Sequence, residues 1–255
     1  MIVESHAHYD DKAFDEDREA LLESLPKEGI GYVINIGASL ETTENTIALT
    51  KKYPFMFGAA GVHPSETGEL NEENFAWLKE QCTQPKIVAV GEIGLDYYWD
   101  EPDRQIQKKW FDRQMELARE VELPMIIHSR DAAGDTLDMM KAAGAGAIGG
   151  VIHCFSYSKE IAREFLDMNF YFGIGGVITF QNAKKLKEAV AYIPMENILL
   201  ETDSPYLAPV PYRGKRNSSL YLPLIAKEIA RIKGLDEDEV ISVSTENAKR
   251  LFGIQ

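Results

Sequence analysis

Eight short apolar runs punctuate the chain: Ile2–His6, Tyr32–Ile36, Met56–Val62, Ile87–Glu92, Met125–His128, Ala147–His153, Phe170–Ile174 and Ile198–Asp203. They are rich in β-branched and aliphatic residues and do not alternate cleanly with polar ones, as expected of parallel strands covered on both faces. Between them lie segments with apolar residues at helical spacing: Phe14–Leu25, Glu41–Lys52, Glu72–Gln81, Arg104–Val121, Lys159–Met168 and Ala183–Tyr192. Leu220–Lys233 and Asp236–Gly253 read as helices that close the last unit and pack outside it. Strand and helix alternating eight times predicts an α/β fold, a (β/α)8 TIM barrel, as a single domain over residues 1–255. A doubly wound open sheet would gather its functional residues at one or two switch points. Here polar residues end at least six strands, which favours the barrel.

Composition narrows the class. A chain of 255 residues, 45% hydrophobic, can bury one barrel-sized core. Its two cysteines, Cys82 and Cys154, form no closely spaced pair, so free thiols in a reducing compartment are expected. The first residues lack the basic region of a secretory signal. The most apolar stretch, Ala142 to Phe155, is too short to span a bilayer. A cytoplasmic protein with no membrane association and no obligate protein partner is expected. The formal net charge of −14 argues against a broad electrostatic footprint for nucleic acid. Bound cations would invert that sign locally, so nucleic acid stays open as a substrate.

The five histidines all end apolar runs: His6 and His8 in IVESHAH, His63 in FMFGAAGVH, His128 in PMIIH and His153 in GGVIH. Glu92 and Asp203 occupy the same kind of position in IVAVGE and ILLETD. Residues two apart on a strand share a face, so Glu4, His6 and His8 are expected to point together into the barrel mouth, with Ala7 facing the helices. A carboxylate ending a run as apolar as that before Glu92 would be costly without a compensating cation. His6, His8, Glu92, His128, His153 and Asp203 together make a ligand inventory for two divalent ions sharing a carboxylate. Cys154, next to His153, is expected to face the helices as inert packing.

In order and spacing, SHAH, GVHP, GEIGLDYY, HSRD, HCFS, ETDSPYLAP and NAKRLFG resemble the motifs of the TatD-type metal-dependent deoxyribonucleases of the amidohydrolase-like barrel superfamily. The resemblance runs from Ile2 to Gly253 and implies a (β/α)8 fold with two divalent metal ions. It also implies hydrolysis of DNA phosphodiester bonds, exonuclease-like. By that resemblance His6, His8 and Asp203 hold the first ion, His128 and His153 the second, and Glu92 bridges them. Asp203 is the candidate to take a proton from the attacking water. His63 lines the site as a substrate contact. Arg130 and the Arg213, Lys215, Arg216 cluster can hold phosphate oxygens, and Tyr97, with Tyr98 and Trp99, can stack a terminal base.

This chain departs from the family at Gly214–Ser219, GKRNSS where GKxNEP is usual, and at Tyr157, where HCFS is usually followed by glycine. Glu4 stands where aspartate is more usual. These departures bear on substrate choice. Imidazole-rich ligands suit Zn or Mn, whereas phosphodiester chemistry often runs on Mg. Two other readings remain: hydrolysis of an ester or amide, as by an aminoacyl-tRNA deacylase, and metal binding without catalysis.

Overall fold

The computed structural model describes residues 1–255. Eight parallel strands hydrogen-bond in sequence order: β1 (Ile2–Ala7), β2 (Ile30–Ile36), β3 (Met56–Ala60), β4 (Ile87–Asp96), β5 (Met125–Arg130), β6 (Gly150–Ile152), β7 (Phe170–Ile174) and β8 (Ile198–Leu200). The segment after β8 returns to β1. Asp203 N–H donates to His6 O (2.9 Å), and His8 N–H donates to Ser204 O (2.8 Å). Nine α-helices surround this barrel: α1 (Arg18–Ser24), α2 (Leu40–Lys52), α3 (Glu72–Gln81), α4 (Arg104–Val121), α5 (Ala133–Ala142), α6 (Lys159–Leu166), α7 (Lys184–Tyr192), α8 (Leu222–Lys233) and α9 (Glu237–Phe252). No helix is long and apolar enough to cross a membrane.

Two apolar clusters divide the core. The larger joins Val33, Met56, Val90, Met125, Ile127, Ile152, Phe170 and Phe172 of the strands to Leu22, Phe111, Leu117, Phe165 and Ile225 of the helices. The smaller joins Val3, Ile34, Ile36, Ala59, Ala89, Ile126, Val151 and Leu199 to Ala248, Phe252 and Ile254. Strand residues of alternate parity thus fill the barrel and meet the helices. Phe252 and Ile254 stop the floor of the barrel, where the Tyr32 hydroxyl also donates to Gln255 O (2.8 Å). The end of the chain is therefore a plug as well as an outer layer.

Three of the boundaries that differ from expectation have a visible cause. β4 runs four residues past Glu92, because Ile93 and Leu95 continue the buried pattern. Gly94, in the left-handed half of φ space at +148°, allows close approach to β5, since a Cβ there would collide with His128 O. β6 starts later than its apolar run, because Ala145–Ala147 form a 3-10 turn. β8 stops at Leu200, and Glu201–Asp203 bend across the mouth with Asp203 at φ 58°.

Candidate metal centre

All six expected ligands meet in the mouth at the C-terminal ends of the strands. Glu92 is central and buried, and its two oxygens face different imidazoles. Oε2 lies 3.5 Å from His6 Nε2 and 3.9 Å from His8 Nε2. Oε1 lies 2.8 Å from His128 Nδ1 and 3.6 Å from His153 Nε2. Asp203 Oδ1 closes the group at 3.5 Å from His8 Nε2, 3.8 Å from His6 Nε2 and 3.9 Å from His153 Nε2. The rings of His6 and His153 stack with centroids 3.4 Å apart.

A register irregularity between Glu4 and Ala7 modifies the simple alternation in β1. Glu4 is fully buried and does not line the mouth. Its carboxylate accepts from the backbone N–H of Thr202 and of His6 and from the hydroxyls of Thr202 and Ser219. It fixes the closure of β1 against the β8 segment and touches the backbone of His6, not its ring. Burial pushes its carboxyl up to about 8, against those four bonds.

Concentrated charge shapes the site. Burial opposes ionisation of Glu92, yet the imidazoles of His153, His6 and His128 hold its carboxyl well below the usual range. Asp203 is lowered likewise: burial opposes, and His8, His153 and His6 prevail. His8 rises to about 9 and His153 to about 10, because neighbouring carboxylates outweigh burial. His63 falls to about 3, chiefly through burial. Carboxylates buried this deeply call for positive charge beside them, which divalent cations on neutral imidazoles would supply.

The donors fit such cations. Trios of ligand atoms lie within 4.8 Å of one another in His6/His8/Asp203, His63/Glu92/His128, His6/His153/Glu201 and His153/Cys154/Asp203. His8 Nδ1 is 3.2 Å from Ile36 O, which turns its Nε2 toward the group. His6 turns its Nε2 toward Glu92 and Asp203, while its Nδ1 is buried without a hydrogen-bond partner.

Several expected residues are arranged differently. Cys154 does not face the helices: at φ 46° it breaks the strand pattern, and its thiol belongs to the trio with His153 and Asp203. Tyr97 does not line the mouth; its hydroxyl donates to Asp135 and its ring lies under Arg104, 4.1 Å away. Arg213, Lys215 and Arg216 lie outside the cavity over the ligands. Arg216 makes two 2.6 Å bonds to Asp17, and Arg213 covers the Phe180 ring. Asn217 and Ser219 of the GKRNSS segment instead hold the β8 loop and Glu4. Tyr157 donates to Ser129 O (2.9 Å), tying the β6 and β5 loops together. Arg130 does line the cavity, its guanidinium 3.8 Å over the Tyr98 ring.

His63 lines the cavity too. Its Nδ1 accepts from Ser65 N–H (3.1 Å), so the neutral ring carries its proton on Nε2.

Sequence reasoning passed over other residues. Asp96 Oδ2 lies 3.0 Å from His128 Nε2; its spacing of four from Glu92 on one strand was the available signal. Glu201 Oε1 lies 3.1 Å from His153 Nδ1 and accepts from Cys154 N–H (2.7 Å). Tyr206, 53% exposed, was also passed over; it stands with the expected Trp99, 64% exposed, on the rim of a cavity of about 1250 Å³.

The model of the family described as TatD related DNase matches residues 3–253. This chain belongs to the TatD-related DNase family, whose members are metal-dependent hydrolases. The metal-dependent hydrolase YabD of Bacillus subtilis is 44% identical over 254 residues, covering all of both chains. The 3'-5' ssDNA/RNA exonuclease TatD of Cronobacter sakazakii is 34% identical, covering 94% of this chain and 93% of its own. The crystal structure of YjjV, a TatD homologue from Escherichia coli K12, superposes with a TM-score of 0.93 at 29% identity. It covers 100% of this chain and 98% of its own.

Proposed function

We propose that this TatD-family hydrolase cleaves DNA phosphodiester bonds from a strand end, using two divalent ions held by His6, His8 and Asp203 and by His128 and His153, with Glu92 touching both. The observation that carries the reading is Glu92, whose two oxygens face separate imidazole pairs. Four imidazoles favour Zn over Mg in these positions, and the carboxylates among them also admit Mn. When bound, such ions acidify a water and neutralise charge on phosphoryl oxygens.

The remaining roles belong to the chain. Asp203, ionised at neutral pH, accepts the proton of the attacking water. His63 Nε2–H and Arg130 donate to non-bridging phosphate oxygens. Trp99 and Tyr206 offer ring faces to unpaired bases at the rim. The activity in the name of the Cronobacter relative supports a single-stranded end as substrate.

A second reading, ester or amide hydrolysis on a smaller substrate, draws support from the acidic rim. Asp10, Asp11, Asp15, Glu41 and Glu66 line the same cavity, outnumbering Lys12, Arg18 and Lys52 there, and oppose a long polyanion. End-labelled single-stranded DNA, duplex DNA, an aminoacyl-tRNA and a simple ester, each tested with Zn, Mn and Mg, separate the two. The expected result is metal-dependent release of nucleotides from single-stranded DNA, lost in Glu92→Gln. Ester turnover without DNA cleavage under any metal would overturn the phosphodiesterase reading.

A further inference from the structure

Four buried side-chain polar atoms have no hydrogen-bond partner in the protein: His6 Nδ1, His153 Nδ1, Glu201 Oε2 and Tyr53 Oη. Three of the four converge behind the ligand cluster. A ring nitrogen of His6, a ring nitrogen of His153 and an oxygen of Glu201 lie within 4.8 Å of one another, all in buried residues. His6 Nε2 is directed at His8, Glu92 and Asp203, which leaves Nδ1 for the Glu201 side. Buried donors and acceptors left unpaired are costly. Here two imidazole nitrogens that must carry protons once Nε2 binds metal stand beside one carboxylate with an oxygen to spare.

We infer that Glu201 is a positioning residue shared by both metal sites, accepting Nδ1–H from His153 with one oxygen and from His6 with the other. The inference rests on the two-ion reading above and assigns a residue that reading does not use. His153 Nδ1 is already 3.1 Å from Glu201 Oε1, short of good alignment, and the same oxygen accepts Cys154 N–H at 2.7 Å. The rings stack 14° from parallel, and both turn Nε2 toward Glu92 and Asp203. Binding of Nε2 to a metal leaves Nδ1–H as the donor that such a carboxylate orients.

The fold keeps a space for this group. A Cβ on Gly173 of β7 would collide with Glu201 Oε2 and lie 2.5 Å from Cδ. The missing side chain on β7 is thus the berth of the carboxylate that follows β8. Because His6 belongs to one ion's ligands and His153 to the other's, one carboxylate ties the affinities of the two sites together. An ion in place of that sharing would need Nδ1 of both rings as ligands, and stoichiometry tells the cases apart.

The test is stepwise titration of metal-stripped full-length protein with Mn2+ or Co2+, reading bound ions by spectroscopy and stoichiometry, with no substrate present. Wild-type protein is expected to take two ions. Glu201→Gln, nearly isosteric, is expected to weaken both binding steps about 10-fold or more, with unchanged circular dichroism and metal-free melting temperature. Glu201→Asp should recover part of the loss. Gly173→Ala, which displaces the carboxylate while leaving it charged, should reproduce the defect. Tyr53→Phe, which removes the fourth unpartnered atom, should leave both affinities intact. Unchanged affinities in Glu201→Gln, weakening of one step alone, or a third ion in the wild type would each overturn the shared role. Fewer than two ions in the wild type would instead overturn the two-ion reading, and this inference with it.

Discussion

His63 and His128 pack edge to face, with ring centroids 4.3 Å apart, yet their hydrogen bonds leave different nitrogens free. His128 Nε2 is taken by Asp96, so Nδ1 is available beside Glu92. His63 spends Nδ1 on Ser65 N–H and offers a proton, not a lone pair, to the mouth. His63→Ala is therefore expected to keep two bound ions and to lower kcat about 100-fold, as loss of one preorganised donor does. Kinetics beside metal analysis of the same sample check this; loss of an ion would make His63 a ligand. The six strand-end residues were legible because a charged or imidazole group ending an apolar run has few innocent explanations. Cys154 and Glu201 were not, since both depend on where the chain leaves the strand. A left-handed residue at 154 and the early end of β8 at Leu200 have no periodic signature. Arg216 was misread for a related reason. Charge in a loop is visible in sequence, but its partner Asp17, nearly two hundred positions away, is not.

At the scale of elements, the eight strands were legible because parallel strands buried on both faces are continuous apolar runs. Their ends were less so. Nothing periodic marks where the apolar run Ala147–His153 changes from 3-10 turn to β6, and Ile93–Asp96 extends β4 across Gly94. The short α5, AGDTLDMMKA, lacks a clear apolar stripe and was not singled out. Helix α8 is tied to α7 by Glu228, which bonds Arg231 and, at 2.8 Å, Lys187. Arg231 and Lys187 together hold Glu228 down to about 2, against partial burial. Because the folded value lies below the ordinary 4.5, its stabilisation is present above about pH 4.5 and lost as pH falls through about 2. Glu228→Gln should cost about 1 kcal/mol or less at pH 7, with the gap to wild type closing toward pH 2. Urea unfolding across that range measures it. A gap that stays constant or widens on acidification would contradict the assignment.

For the molecule as a whole, the barrel divides labour between its two ends. The floor is stopped by Phe252 and Ile254, and the mouth gathers five histidines with Glu92 and Asp203 under a cavity of about 1250 Å³. Stability and chemistry are thereby separated along the barrel axis. The net charge of −14 and rim carboxylates that outnumber Lys12, Arg18, Lys52 and Arg130 mean that, in the proposed reading, cations held at the centre would supply much of the attraction for an anionic substrate. Everything then turns on whether one carboxylate holds two ions. The most direct measurement is the metal content of the purified chain after equilibrium dialysis against Zn2+ or Mn2+, for wild type and Glu92→Gln in parallel. Two ions per chain in the wild type, with both sites weakened in Glu92→Gln, is the expected result. One ion per chain, or two ions held with undiminished affinity by Glu92→Gln, would contradict a centre built around Glu92.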